Sequence, residues 1–286
     1  MKYELFFFKE NNRIIDLDEL FRFFNFCPYI KTKMESDEVL FNYYHEDLKL
    51  QATFHISKVS KVPDIYRLNP RFLDLDIYLT LDPTLPQFKV SLIMELVKDL
   101  CLKFNFFVYN VLFEDVSSFR KDLILKSYEL FRNAYREKYP MEFYDLNYLS
   151  REKLNDILKY IYERKDLMQY YEHDGLYFPK PTFIKGDTSG KLYSQVEFVE
   201  DSLFVFPPQT DLICYRIGDV YKVIYCDEFL SVLEKYLTDL AGFGRNTKVL
   251  DKNGVKKVRK IISKTKFTEI CDTFKNISID TIVDYK

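Results

Sequence analysis

The stretch "GFGRNTKVLDKNGVKKVRK", residues 242–260, holds two close glycines, an Asn-Gly pair and a run of bases. Three roles compete for it: a phosphate loop, a grip on a polyanion, or a solvated element. A dinucleotide fingerprint needs a third glycine where Thr247 stands, and it follows a strand, whereas this stretch follows a helical pattern. Gly242 and Gly244 therefore read as a helix stop. Between Arg245 and Lys266 there are nine bases and one acid, Asp251. Such a cluster is an electrostatic footprint for an anionic partner, although no aromatic platform accompanies it. Two local structures fit. Asn253-Gly254 suits a type I′ hairpin turn, which sets Asp251 opposite Lys256. Alternatively Gly254 opens a helix, with Val255, Val258, Ile261 and Ile262 on one stripe and the bases on the other. Arg245, Lys248, Lys256, Lys257, Arg259 and Lys260 are the candidate binding residues.

A second glycine-rich stretch, "GDTSGKL" (186–192), superficially resembles a P-loop. That motif needs four residues between its glycines and a Ser or Thr after the lysine to hold magnesium. Here three residues separate Gly186 from Gly190, and Leu192 follows Lys191. With strand patterns on both sides, the stretch is expected to be a hairpin turn.

Asp74 and Asp76 form the most enzyme-like pair. Carboxylates at i and i+2 of a strand project to one side and could share a divalent cation, as in some metal-dependent transferases. The upstream "RLNPRF" lacks the Gly-Ser turn of a nucleotidyltransferase. Simple alternation also accounts for both aspartates, as the wet face of an antiparallel strand. Histidine is confined to His45, His55 and His173, with no metal-ligand spacing, and no G-x-S-x-G elbow occurs. The five cysteines are odd in number and form no C-x-x-C pair, so free thiols are expected rather than a disulfide frame or a zinc site. No cofactor is expected.

The elements that must position these residues follow from composition and period. The chain has 286 residues, 47% hydrophobic, with 7 Gly and 10 Pro, enough to bury a sizeable core. Its 27 Phe and 23 Tyr without Trp match A/T-rich codon usage. The longest uncharged run noted, "FNFFVYNVLF" (104–113), is too short to cross a bilayer, and the N-terminal apolar run is too short for a signal peptide. A soluble, cytoplasmic protein without membrane contact is expected. The net charge of −2 conceals an asymmetry: residues 1–240 carry 31 bases against 39 acids, and residues 241–286 carry 11 against 5.

"YELFFF" (3–8) reads as a strand. "DLDELFRFFNF" (16–26) reads as a helix with Asp16 and Glu19 at capping-box spacing. Residues 39–45 and 48–57 form a hairpin, the second arm alternating through Leu48, Leu50, Ala52, Phe54 and Ile56. "FLDLDIYLTLD" (72–82) puts Leu73, Leu75, Ile77, Leu79 and Leu81 on the core side, and Asp74, Asp76, Tyr78, Thr80 and Asp82 on the wet side. A helix over 90–104, a short strand over 106–110 and helices over 117–139 and 151–171 follow, the last capped by Ser150. Beyond 175, short strands alternate with turns, including Gly218-Asp219. Asp227 caps a helix over 228–237 that Gly242 stops.

The expected fold class is α+β, with largely antiparallel sheets, packed helices, strand-meander-then-helix units and a helical middle. The expected division is a domain over 1–145, a second over 146–240 and a basic extension over 241–286. No motif identifies a family. The absence of a cofactor motif and the abundance of Tyr and Phe favour a cytoplasmic, non-enzymatic protein that binds another protein, of the adaptor or immunity kind. The alternatives are nucleic-acid binding through 245–266 and a metal-dependent transferase using Asp74 and Asp76.

Overall fold

The computed structural model describes residues 1–217, 220–240 and 247–285. Gly218-Asp219, Gly242, Gly244 and Arg245 lie outside the described residues. The fold is α+β, with mostly antiparallel sheets, and divides into two compact units, Met1–Leu146 and Asn147–Lys286. No helix among the described residues is long and apolar enough to cross a membrane.

The first unit contains β1 (Tyr3–Glu10), α1 (Leu17–Phe26), β2 (Ile30–Met34), β3 (Glu38–His45), β4 (Leu50–Ser57), β5 (Phe72–Leu81), α2 (Gln87–Phe104), β6 (Phe107–Tyr109), β7 (Ser117–Ser118) and α3 (Lys121–Lys138). Its sheet has the order β2-β3-β4-β5-β1-β6-β7, with every pairing antiparallel. Asp16 caps α1 as its spacing predicts: its carboxylate accepts the Glu19 N–H at 3.1 Å. Helix α1 buries Leu20 and Phe24, and Phe24 stacks on Phe41 with ring centroids 4.3 Å apart. Helix α3 meets the same sheet face, where the Tyr3 and Ser127 hydroxyls lie 2.6 Å apart.

Strand β5 departs from simple alternation. Phe7 pairs with Ile77 and Phe8 with Asp74, so Leu75 and Asp76 are extra residues in a bulge. Asp76 takes φ +54°, in the left-handed region. Two extra residues preserve parity, so Asp74 and Tyr78 still share a face. That face is not wet over its length. Phe6, Phe8, Tyr78 and Tyr109 form a second apolar cluster on it, closed by Val62 and Val116 from flanking connections. Leu73, expected in the core, is 45% exposed. The central strands are thus covered on both faces, which period-two alternation does not anticipate.

The second unit contains β8 (Asn147–Ser150), α4 (Arg151–Tyr170), β9 (Leu176–Tyr177), β10 (Thr182–Gly186), β11 (Leu192–Phe198), β12 (Leu203–Phe206), β13 (Leu212–Ile217), β14 (Val220–Tyr225), α5 (Cys226–Leu233), β15 (Leu237–Asp239), β16 (Lys248–Leu250), α6 (Lys252–Lys264), β17 (Phe274–Ile277) and β18 (Ile282–Tyr285). Its sheets have the orders β14-β13-β11-β10-β17 and β15-β16-β12-β9, with β18 beside β8. Among the described residues three pairings are parallel: β11 with β13, β12 with β9 and β18 with β8. The residues beyond 246 therefore add strands to these sheets and build into the unit. Asp284, buried on β18, accepts from the Arg151 guanidinium at 2.9 Å.

Two helix ends differ from expectation. Ser150 precedes α4, but its hydroxyl makes no cap bond; its backbone instead ends the β8 ladder. Helix α5 begins at Cys226, whose N–H bonds the Asp211 carbonyl at 2.8 Å, so Asp227 lies inside the first turn and not at the cap. The helix ends at Leu233, because the residues after Tyr236 extend to pair with β16.

Candidate functional site

Residues 252–264 form a helix, and the hairpin alternative is overturned. Asp251 caps α6: its Oδ1 accepts the Gly254 N–H at 2.5 Å. The expected cross-strand pair with Lys256 does not form, because Asn253 and Gly254 are the helix's first turn. Gly254 is needed there for space. A Cβ at that position would sit 2.5 Å from Leu250 Cδ1 and 2.7 Å from Tyr236 Cβ. Val258 and Ile262 are buried in a cluster with Leu250, Phe229 and Leu233, and Val255 and Ile261 pack at its margin.

This seating fixes the opposite side of the helix. Lys252, Lys256, Lys260 and Lys264 recur every four residues, so they stand in a ladder along about 20 Å of helix. Lys257 and Arg259 flank it, and all six are exposed. Among the described residues none of the six makes an ion pair. The Lys257 ammonium lies 5.3 Å from the Tyr236 ring centroid. Arg259 acts at longer range on the Tyr215 phenol, which burial and a hydrogen bond to Glu200 raise above its ordinary value. Like charges at i,i+4 destabilise a helix by about 0.2–0.5 kcal/mol per pair. The ladder therefore costs stability that the buried stripe must offset. Lys248 does not join it: it lies on β16, paired with Asp239 at 2.6 Å. Thus four of the six predicted residues, Lys256, Lys257, Arg259 and Lys260, share the face. Lys252 and Lys264 complete it, a completion visible only once the helix is chosen.

The "GDTSGKL" stretch is the hairpin turn between β10 and β11. Two of its backbone donors are already occupied by an internal anion. Asp272 accepts the Thr188 N–H at 3.0 Å and the Ser189 N–H at 3.2 Å. These bonds hold the Asp272 carboxyl below its ordinary range.

Asp74 and Asp76 share the bulge. The Asp74 carboxylate accepts the Asp76 N–H at 3.1 Å and the Ser60 hydroxyl. It thereby supports the left-handed residue two positions on, an Asx-type contact. Burial, and then the Asp74 charge, raise the Asp76 carboxyl above its ordinary value. No group of three or more potential metal ligands occurs among the described residues. All five cysteines are free.

One constellation escaped the sequence reading. His55 Nδ1 lies 3.0 Å from Glu38 Oε2, and Nε2 lies 3.1 Å from Thr80 Oγ1. The Tyr78 ring stacks on His55, with centroids 4.4 Å and planes 4° apart, and its hydroxyl donates to Glu38 Oε1 at 3.2 Å. The contact from His55 lowers the Glu38 carboxyl, whereas burial and the Glu38 charge push Tyr78 up to about 12. The connectivity is that of a carboxylate–imidazole–hydroxyl relay. Thr80, however, is 7% exposed and its hydroxyl also points to the Thr53 carbonyl, 3.5 Å away. The network ties β3, β4 and β5 together, and a substrate would have to reach a hydroxyl that the sheet covers. Its members lie 17 and 25 residues apart on three strands, so no spacing rule could have found them.

No family model matches the sequence, and comparison with curated proteins and with solved structures likewise gives no match.

Proposed function

We propose that the chain is a cytoplasmic, non-enzymatic binding protein of the adaptor or immunity kind, whose second unit captures an acidic protein partner on α6. The observation that carries this reading is the Lys252–Lys256–Lys260–Lys264 ladder, exposed and without an ion pair among the described residues. The ladder repels itself, and the apolar stripe of Val258 and Ile262 seats the helix without it. A partner bearing carboxylates relieves that repulsion on binding. The same face could attract phosphates, but one feature favours protein. Among the described residues, the cationic arc offers no exposed aromatic side chain for base stacking. The transferase reading of Asp74 and Asp76 gains no support from an Asp74 carboxylate already engaged in closing a bulge.

The test measures binding of the full chain to labelled poly-glutamate, to duplex DNA and to single-stranded RNA across a salt series. Poly-glutamate is expected to bind, with affinity falling as salt rises. Replacing Lys256, Lys257, Arg259 and Lys260 with Glu should abolish this binding while leaving the melting transition cooperative. The nucleic acids should bind no tighter than the roughly 10⁻⁴–10⁻⁶ M of non-specific contacts. A nucleic-acid affinity near 10⁻⁸ M would replace the proposal with the nucleic-acid reading. Poly-glutamate binding that survives the charge reversal would remove α6 from the site.

A further inference from the structure

Strand β14 is last in its sheet and, among the described residues, is hydrogen-bonded to β13 alone. Alternate N–H and C=O groups along it are therefore open to a further strand. A groove of about 610 Å³ runs beside it, walled on the far side by the stretch from Ser263 to Cys271 that leaves the end of α6. That wall is anchored at three points. Phe267 packs on the core cluster under α6, Ile270 packs on a second cluster, and the Thr268 N–H bonds Glu228 Oε2 at 3.0 Å. Val223, Phe267 and Ile270 give the groove apolar surface, and Lys222, Lys264 and Lys266 bring three cations to it against one acid, Glu269. None of the three lysines makes an ion pair among the described residues. Lys264 is also the last rung of the α6 ladder, so the groove and the ladder share a lysine.

We infer that this groove takes an extended acidic segment of the protein partner, which adds to β14 as a strand. The inference rests on the acidic-partner reading of α6. Backbone bonds to the β14 edge supply affinity that is independent of side chains, and alternation sorts the segment's two faces. Acidic residues at every second position meet Lys222, Lys264 and Lys266, and the intervening apolar residues meet Val223 and Ile270 on the opposite face of β14. The bland role for Lys222 is to guard a bare edge against aggregation. That role predicts no added strand and no protection of β14.

The probe is a labelled peptide of alternating Glu and Val, eight residues long, compared with the same peptide N-methylated at alternate residues so that it cannot donate along one edge. Binding is read by fluorescence anisotropy on the full chain, and amide hydrogen exchange is followed across β14. The plain peptide should bind and slow exchange in β14. N-methylation of the matching edge should weaken binding by about ten-fold or more, equivalent to about 1.4 kcal/mol. Lys222→Glu with Lys266→Glu should weaken it similarly without altering the melting temperature. If both methylation frames bind as well as the plain peptide and β14 exchange is unchanged, strand addition is wrong while the acidic-partner reading stands. If neither the peptide nor poly-glutamate binds, the α6 reading falls and the groove proposal with it.

Discussion

Asp251 Oδ1 accepts the Gly254 backbone N–H at 2.5 Å, and this contact turns an Asn-Gly pair, otherwise a favoured hairpin turn, into the first turn of a helix. Removing the cap should cost the protein about 1 kcal/mol, as Asp→Ala at an N-cap does elsewhere. Gly254→Ala is the sharper test. On propensity alone it would stabilise a helix by up to about 1 kcal/mol. Here its Cβ would press on Leu250 and Tyr236, so the expected outcome is destabilisation by about 1–3 kcal/mol. Chemical denaturation of both variants checks the sign; a more stable Gly254→Ala protein would show that the close approach is absent.

Glu38 carries a pH prediction. Its carboxyl is lowered in the folded state, chiefly by the contact from His55, with smaller help from Tyr78 and Lys61. A depressed carboxylate contributes stability that is present above its unfolded value, about 4.3, and lost as pH falls through the folded value. Stability should therefore decline below about pH 5, and Glu38→Gln should flatten that part of the curve. An unchanged acid limb in Glu38→Gln would count against the Glu38–His55 contact.

The bulge in β5 makes Asp76 sensitive to side-chain shape. Asp76→Asn or Asp76→Gly should be tolerated, because these residues accept a left-handed conformation, whereas Asp76→Val should destabilise by at least about 1–2 kcal/mol. Asp74→Ala also loses the Ser60 and Asp76 contacts and should cost about 1–2 kcal/mol. The same thermal melts, run with magnesium or manganese, test the transferase alternative. A metal-dependent rise abolished by the double Asn variant would revive it.

Asp272 holds the 186–191 turn from outside, so its removal should loosen that turn first. Asp272→Ala is expected to speed amide exchange at Thr188 and Ser189 and to open the turn to proteolysis, while β13 and β14 stay protected. The wild-type protein should show the same loosening as pH falls and Asp272 protonates, since its carboxyl is lowered by those bonds. Equal exchange in variant and wild type would deny the contact.

Patterns contained within a turn or a strand were legible in the chain. The Asp16 cap, the stripes of α2 and α6, the alternation of β4 and the turn between β10 and β11 depend on neighbours three or four residues away, and local sterics and hydrogen bonding decide them. So was the α+β class, which follows from the mixture of periods. Other features depended on partners far away in the chain. Whether Asn253-Gly254 bends into a hairpin or, with Asp251 as cap, enters a helix turned on Val258 and Ile262 reaching Phe229 and Leu233. Whether the even face of β5 is wet turned on Val62 and Val116 covering it. Strand β17 found β10 and β18 found β8 across long intervals, and Glu38, His55 and Thr80 met only through the register of three strands. Register and layer packing are set by side chains that meet only after the chain has folded back on itself, and no spacing within the sequence encodes that meeting.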